Sequence, residues 1–227
     1  MNGIYLPMKK WGIDPKTIQY DDYDDWAKPK KKLEQLQVSC PFKTIIIDSI
    51  TSMADMTLRQ TMRVKYGTTR QSGATAGKLV AGIAVNEIED YNAESSAIQE
   101  LISLTKDINV YHKVNVILIA HVVKAEYRDT TKKTTHISRQ IVTAGKNVAA
   151  KIPAYCGEVY HFNIDAGFVE GAGGAYTLLT THTGDDFART ALELPTKIEL
   201  GDKPLYDTWV KPAIDKMKVE YVPATKF

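Results

Sequence analysis

Asp48 is the residue with the clearest chemical promise. It ends the run Lys43-Thr44-Ile45-Ile46-Ile47 and is followed by Ser49 and Thr51. Three consecutive isoleucines fit a strand buried on both faces, as in a parallel sheet. A carboxylate at the C-terminal end of such a strand stands at the sheet edge where α/β proteins bind ligands. There it can hold Mg2+ through water, with a neighbouring hydroxyl assisting. The plainer reading makes Asp-Ser-Ile-Thr the start of a helix, with Ser49 or Thr51 as its cap. His121 closes a second apolar run, Val114–Ala120. If the two runs are neighbouring strands, His121 and Asp48 emerge at one edge. An imidazole there can hydrogen-bond a terminal phosphate or orient water, and it can equally bond a backbone carbonyl in a structural role.

Two stretches concentrate positive charge. Residues 57–78 carry Arg59, Arg63, Lys65, Arg70 and Lys78 and no acid. Residues 122–151 carry Lys124, Arg128, Lys132, Lys133, Arg139, Lys146 and Lys151 against Glu126 and Asp129. Lys and Arg neutralise phosphates, and the Thr, Ser and Asn side chains around them bond phosphate oxygens. Tyr66 and Tyr127 lie within these stretches and could stack on bases. A solvated basic face is the alternative. Asp21, Asp22, Asp24 and Asp25 form an acidic counterpart.

Other chemistry is poorly represented. Gly73–Lys78 has three residues between its glycines and Leu79 after the lysine, and Gly145-Lys146 lacks a first glycine, so neither is a GxxxxGK[ST] phosphate loop. His112, His121, His136, His161 and His182 are scattered, and no CxxC is present, which argues against structural zinc. No serine sits in a nucleophile elbow.

The elements that must position these residues come from periodicity. Thr17–Tyr20 reads as a short strand and Asp25–Gln37 as a helix. Residues 52–64 read as helical, and residues 66–77 as a Gly-, Thr- and Ser-rich loop. Val80–Tyr91 and Ser96–Tyr111 read as helices, the second from Ile98, Leu101, Ile102, Thr105 and Ile108. Residues 124–140 read as a polar loop and Asn147–Lys151 as a short helix stopped by Pro153. Glu158–Ile164 and Ala175–His182 alternate as a hairpin. Residues 195–227 read as an irregular tail with at most one short helix. The order suggests α/β: a parallel sheet extended by antiparallel strands. With 227 residues, 44% hydrophobic and 25% charged, the chain can build a core without disulfides. Cys40 and Cys156 fit reduced thiols of a cytosol-like compartment. No run reaches the ~18 apolar residues of a membrane span, and Met1–Lys10 does not fit a secretory signal.

In order and spacing, these stretches resemble the RecA-like P-loop ATPases, and most closely their short phage-encoded relatives in DNA recombination and annealing. Lys10-Trp11-Gly12-Ile13-Asp14-Pro15-Lys16-Thr17-Ile18 resembles the family's lead into a strand. Thr44–Ile50 resembles its Walker B strand. Val116–His121 resembles the next strand of the family, whose terminal polar residue senses the nucleotide. Thr143-Ala144-Gly145-Lys146-Asn147-Val148-Ala149 resembles the short glycine-led helix after the second DNA loop. Lys151-Ile152-Pro153-Ala154-Tyr155 and Glu158–Phe162 resemble the segment and strand that come after that helix in the phage relatives. The likeness spans about residues 9–200, which it implies are a partial RecA-like core, with 201–227 as a C-terminal tail. The phosphate loop and the strand bearing a catalytic Glu, which the family places before Gly12, are not in the sequence. A shortened chain, a degenerate relative and one half of a split protein all fit that departure.

The resemblance implies ATP and Mg2+ as cofactors, single-stranded DNA as partner, self-association into a ring or filament, and a phage-infected or bacterial cytoplasm. Asp48 would hold Mg2+ through water, with Ser49 and Thr51 assisting, and His121 would couple nucleotide state to the loop after it. Arg59, Arg63, Lys65, Arg70, Lys124, Arg128, Lys132, Lys133, Arg139 and Lys146 would touch DNA. ATP hydrolysis is expected only if the missing phosphate loop is supplied. Two other classes stay open. One is a non-catalytic nucleic-acid-binding or annealing module that kept the fold. The other is a self-assembling structural protein whose basic loops meet acidic patches such as residues 21–25 of a neighbour.

Overall fold

The computed structural model describes residues 12–14, 17–19, 21–67, 79–80, 83–84, 88–129, 134–143, 146–165, 175–184, 187–201 and 204–220. Helix α1 (Ala27–Val38) tolerates Pro29 in its first turn, where an N–H would have no helical acceptor. Lys28 N–H donates to Asp25 Oδ1 at 3.1 Å just ahead of it. Strand β1 (Thr44–Asp48) comes next, then α2 (Ile50–Gly67), longer at both ends than the expected 52–64. The short antiparallel pair β2 (Leu79–Val80) and β3 (Ile83–Ala84) precedes helix α3 (Ile88–His112). Val80, Ile83 and Ala84 are therefore in strands, which corrects the first part of the helix read over Val80–Tyr91, while Ile88–Tyr91 are helical within α3; β-branched and small residues suit a two-residue pairing as well as a helical turn. Helix α3 ends where Lys113 adopts a positive φ of 56°. That left-handed residue stops the helix and leads through buried Val114 into the next strand.

That strand, β4 (Asn115–Ile119), pairs with β1 in parallel, Ile46 beside Ile117 and Asp48 beside Ile119. Ile45, Ile47 and Leu118 on one face pack against Leu33 and Leu36 of α1 and Ile98, Leu101, Ile102 and Ile108 of α3. The opposite face, with Ile46, Ile117 and Ile119, is exposed, so the expectation of a strand buried on both faces is corrected. Among the described residues β1 and β4 pair only with each other. A single parallel pair thus stands where the sequence suggests a mainly parallel sheet.

Strands β5 (Val122–Asp129) and β6 (Thr134–Ile141) form an antiparallel hairpin, which corrects the loop expected over 124–140. Charge in this stretch suggests solvated coil. The β-branched Val122, Val123, Thr134, Thr135, Ile137 and Ile141 among the charges suit paired strands. Helix α4 (Lys146–Lys151) runs into a 3-10 turn, Ile152–Tyr155, that contains Pro153. Strands β7 (His161–Asp165) and β8 (Ala175–Leu179) form the expected hairpin. Strand β9 (Lys197–Leu200) adds a third member, and a π-helical stretch, Tyr206–Val210, leads into α5 (Lys211–Glu220). The tail is therefore more regular than expected. Thr17 donates from N–H and Oγ1 to Asp14 O at 2.9 and 2.6 Å, a turn where the sequence reading begins a strand over Thr17–Tyr20; Tyr20 lies outside the described residues. The molecule is a mixed α/β protein with five α-helices among the described residues.

Candidate functional site

The register of β1 on β4 brings the strands' C-terminal ends together at one edge. Asp48 is exposed there, joined to Ser49 by a cis peptide bond. Ser49 is 1% exposed. Its Oγ accepts from Ser52 N–H at 3.1 Å and lies 3.0 Å from Ser52 Oγ. This is the N-cap of α2. Thr51 Oγ1 accepts from His121 N–H at 3.1 Å, stitching the start of α2 to the end of β4. Both hydroxyls therefore hold backbone, and Asp48 alone offers a carboxylate to solvent. Among the described residues no three His, Cys, Asp or Glu side chains converge. A Mg2+ ion at Asp48 would fit as a largely hydrated ion that takes its other ligands from water and phosphate oxygens, with Ser49 and Thr51 outside its ligand set.

His121 is exposed beside this edge, and its carbonyl accepts from Val142 N–H at 2.9 Å. That bond closes the base of the β5–β6 hairpin, so the hairpin leaves and rejoins the core at the sheet edge carrying Asp48. Lys124 and Arg139 stand opposite each other near the base. Like charges at such positions repel unless anions lie nearby. Arg128 is on β5 and Lys146 begins α4; Arg70, Lys132 and Lys133 lie outside the described residues.

The first basic stretch behaves differently. Arg59, Arg63 and Lys65 all lie on α2. Arg59 pairs with Asp55 at 2.6 Å, one turn back, with both side chains well exposed. Lys65 reaches inward to fully buried Asp90 at 2.5 Å, and Glu94 is buried one turn further along α3. Lys65 thus serves the α2–α3 interface, and Arg59 and Arg63 remain exposed on that helix. A cleft of about 420 Å3 between these helices is lined by Trp26, Gln60, Thr61, Lys65, Ser96 and Glu100. It runs along the later turns of α2 and not the Asp48 edge. The acidic cluster is engaged by α1: Asp24 and Asp25 pair with Lys28 at 2.6 and 3.3 Å, and Asp21 with Lys32 at 3.5 Å.

One arrangement has no signal in the sequence. Glu158 accepts from Tyr160 Oη (2.9 Å), Thr190 Oγ1 (2.5 Å) and Ala191 N–H (2.8 Å). Arg189 donates to the carbonyls of Cys156 and Ala154. Burial pushes the Cys156 thiol up, with Arg189 opposing. These contacts clamp residues 189–191 onto the segment after α4. The partners are about thirty residues apart in sequence, beyond the reach of any local motif.

No described helix is long and apolar enough to cross a membrane. No family model matches the chain, and no curated protein or solved structure matches it.

Proposed function

We propose that this chain is a single-stranded DNA-binding protein of the RecA-like class, whose grip on DNA responds to Mg2+ and ATP at the Asp48 edge. One observation carries the reading. The parallel register sets exposed Asp48 beside the end of β4, and the next residues are His121 and a hairpin with Lys124 and Arg139 at its base. A nucleotide phosphate at this edge would lie within one or two bonded contacts of the hairpin base, through His121 and the Thr51 hydroxyl that holds its N–H. When bound, Mg2+ would screen the phosphate charge facing the Asp48 carboxylate. The hairpin's cations would track the DNA backbone, with affinity set by counterion release. The sequence holds no GxxxxGK[ST], so the chain would hold ATP through Mg2+ at Asp48 without a phosphate loop, and hydrolysis depends on a loop supplied from elsewhere.

The test is titration of ATP into the 227-residue chain with and without Mg2+, beside Asp48→Ala. Mg2+-dependent binding that disappears in the variant is the expected result. Undiminished binding in Asp48→Ala would refute the assignment.

A second reading, a nucleic-acid-binding module without nucleotide, draws support from the engagement of Ser49 and Thr51 in backbone bonds. It predicts DNA affinity that falls steeply with salt and ignores ATP.

A further inference from the structure

Two aromatic rings stand open on the three-stranded antiparallel sheet. Phe162 of β7 and Tyr176 of β8 are 55% and 50% exposed, with ring centroids 5.7 Å apart and planes tilted by 36°. The register explains why they meet. Phe162 lies opposite Leu178, and Leu178 opposite Ile198, in one row across the sheet. Tyr176 and Leu200 stand in the next row on the same face, so the two rings are diagonal neighbours. Asn163, Thr177 and Glu199 form the row between and belong to the opposite face, as does Lys197. The aromatic face is otherwise closed: Leu178 and Ile198 are buried and Leu200 is half-buried. Its open apolar area is therefore confined to the two rings.

We propose that Phe162 and Tyr176 form a stacking platform for unpaired nucleobases, a contact separate from the phosphate-tracking cations of the β5–β6 hairpin. Size favours a base over a protein partner. Aromatic side chains bury about 150–250 Å2 each when fully covered, so two half-exposed rings leave roughly 200 Å2 open. A stable protein interface takes about 800 Å2 from each partner. A base needs no more than one ring face, and stacking accepts any base because every base has a π face. Rings fixed on paired strands lose little freedom when a base docks. Continuity with the hairpin favours DNA as the source of those bases. Helix α4 follows the hairpin, packs on β6 and leads through the 3-10 turn towards β7. Lys146 begins α4, and Lys151 is exposed at its end. Cations thus continue along the chain from the hairpin base towards the strand that carries Phe162. The inference rests on the DNA reading of the hairpin and not on nucleotide binding at Asp48.

The test compares an oligothymidylate with an abasic strand of equal length, which keeps the phosphates and lacks the bases. Fluorescence anisotropy at several salt concentrations reads both in wild type, Phe162→Ala, Tyr176→Ala and Lys124→Ala. Wild type should prefer the oligothymidylate. Each aromatic variant should weaken oligothymidylate binding by about 5- to 150-fold, the range for one lost stacked base. Neither should change affinity for the abasic strand or the salt slope. Lys124→Ala should weaken both strands alike and lower the slope. Aromatic variants that bind oligothymidylate as tightly as wild type, or that lose affinity equally for both strands, would overturn the platform. If Lys124→Ala then still lowers the slope, the DNA reading stands and the rings are left to another partner. A wild type that binds neither strand would overturn both. Circular dichroism checks folding; Phe162→Leu and Tyr176→Leu, which keep apolar bulk without the ring, replace any alanine variant that unfolds.

Discussion

Lys65 belongs to a stretch whose charge suggests a DNA-binding surface, yet it neutralises Asp90, which is fully buried. A buried carboxylate stripped of its cation is strongly destabilised. Lys65→Met should therefore lower unfolding stability by about 3 kcal/mol in urea titrations, and adding Asp90→Leu should restore most of it. Recovery would identify the loss as the uncompensated charge and not lost packing. Tyr160 reports on the Glu158 clamp. Burial, then the hydrogen bond to Glu158, pushes its hydroxyl well above the ordinary value of 10.0. Burial and Asp21 likewise push Tyr23 up to about 12. The folded state holds these protons more tightly than the unfolded chain does. Their contribution is therefore whole below pH 10 and is lost as pH rises through the raised folded values. Stability measured above pH 10 should fall with pH, and Tyr160→Phe should flatten part of that fall. At this scale the sequence exposes Asp48 and His121 through strand-end position alone. It conceals the roles of Lys65 and Glu158, whose partners lie on other elements.

Elements with one strong period are legible. Helix α1, the core of α3 and strands β1 and β4 fall where spacing puts them, because each buries a stripe that a helix or strand period must repeat. The β5–β6 hairpin is not legible. Its β-branched residues come as neighbours, Val122 with Val123 and Thr134 with Thr135, and like charges face each other at Lys124 and Arg139, so no two-residue period marks the strands. The short strands β2 and β3 are lost for another reason: two residues carry no period. The hairpin also yields a prediction. If it contacts DNA, Lys124→Ala and Arg139→Ala should each weaken single-stranded DNA binding. Each should also reduce the slope of log affinity against log salt by about 0.7, the value for one lost phosphate contact on a single strand. Arg59→Ala on α2, whose guanidinium already pairs with Asp55, should change the slope less. Fluorescence anisotropy at several salt concentrations measures all three.

For the whole molecule, the sheet is the feature that local sequence does not convey. Ile45, Ile46 and Ile47 look equally buried in a linear reading, yet the helices cover only the face of Ile45 and Ile47. The number of strands beside β1 is a tertiary property, and a RecA-like likeness drawn from motif order does not determine it. What the fold does provide is a short run of hydrogen bonds. Asp48, the Thr51–His121 bond and the Val142–His121 bond link one sheet edge to the base of a basic ribbon. The most direct measurement is the affinity of a labelled oligothymidylate for the chain with and without Mg2+ and ATP, in wild type and Asp48→Ala. The account predicts that ATP changes the affinity of wild type and leaves Asp48→Ala unchanged. Equal affinity with and without ATP in wild type would contradict it.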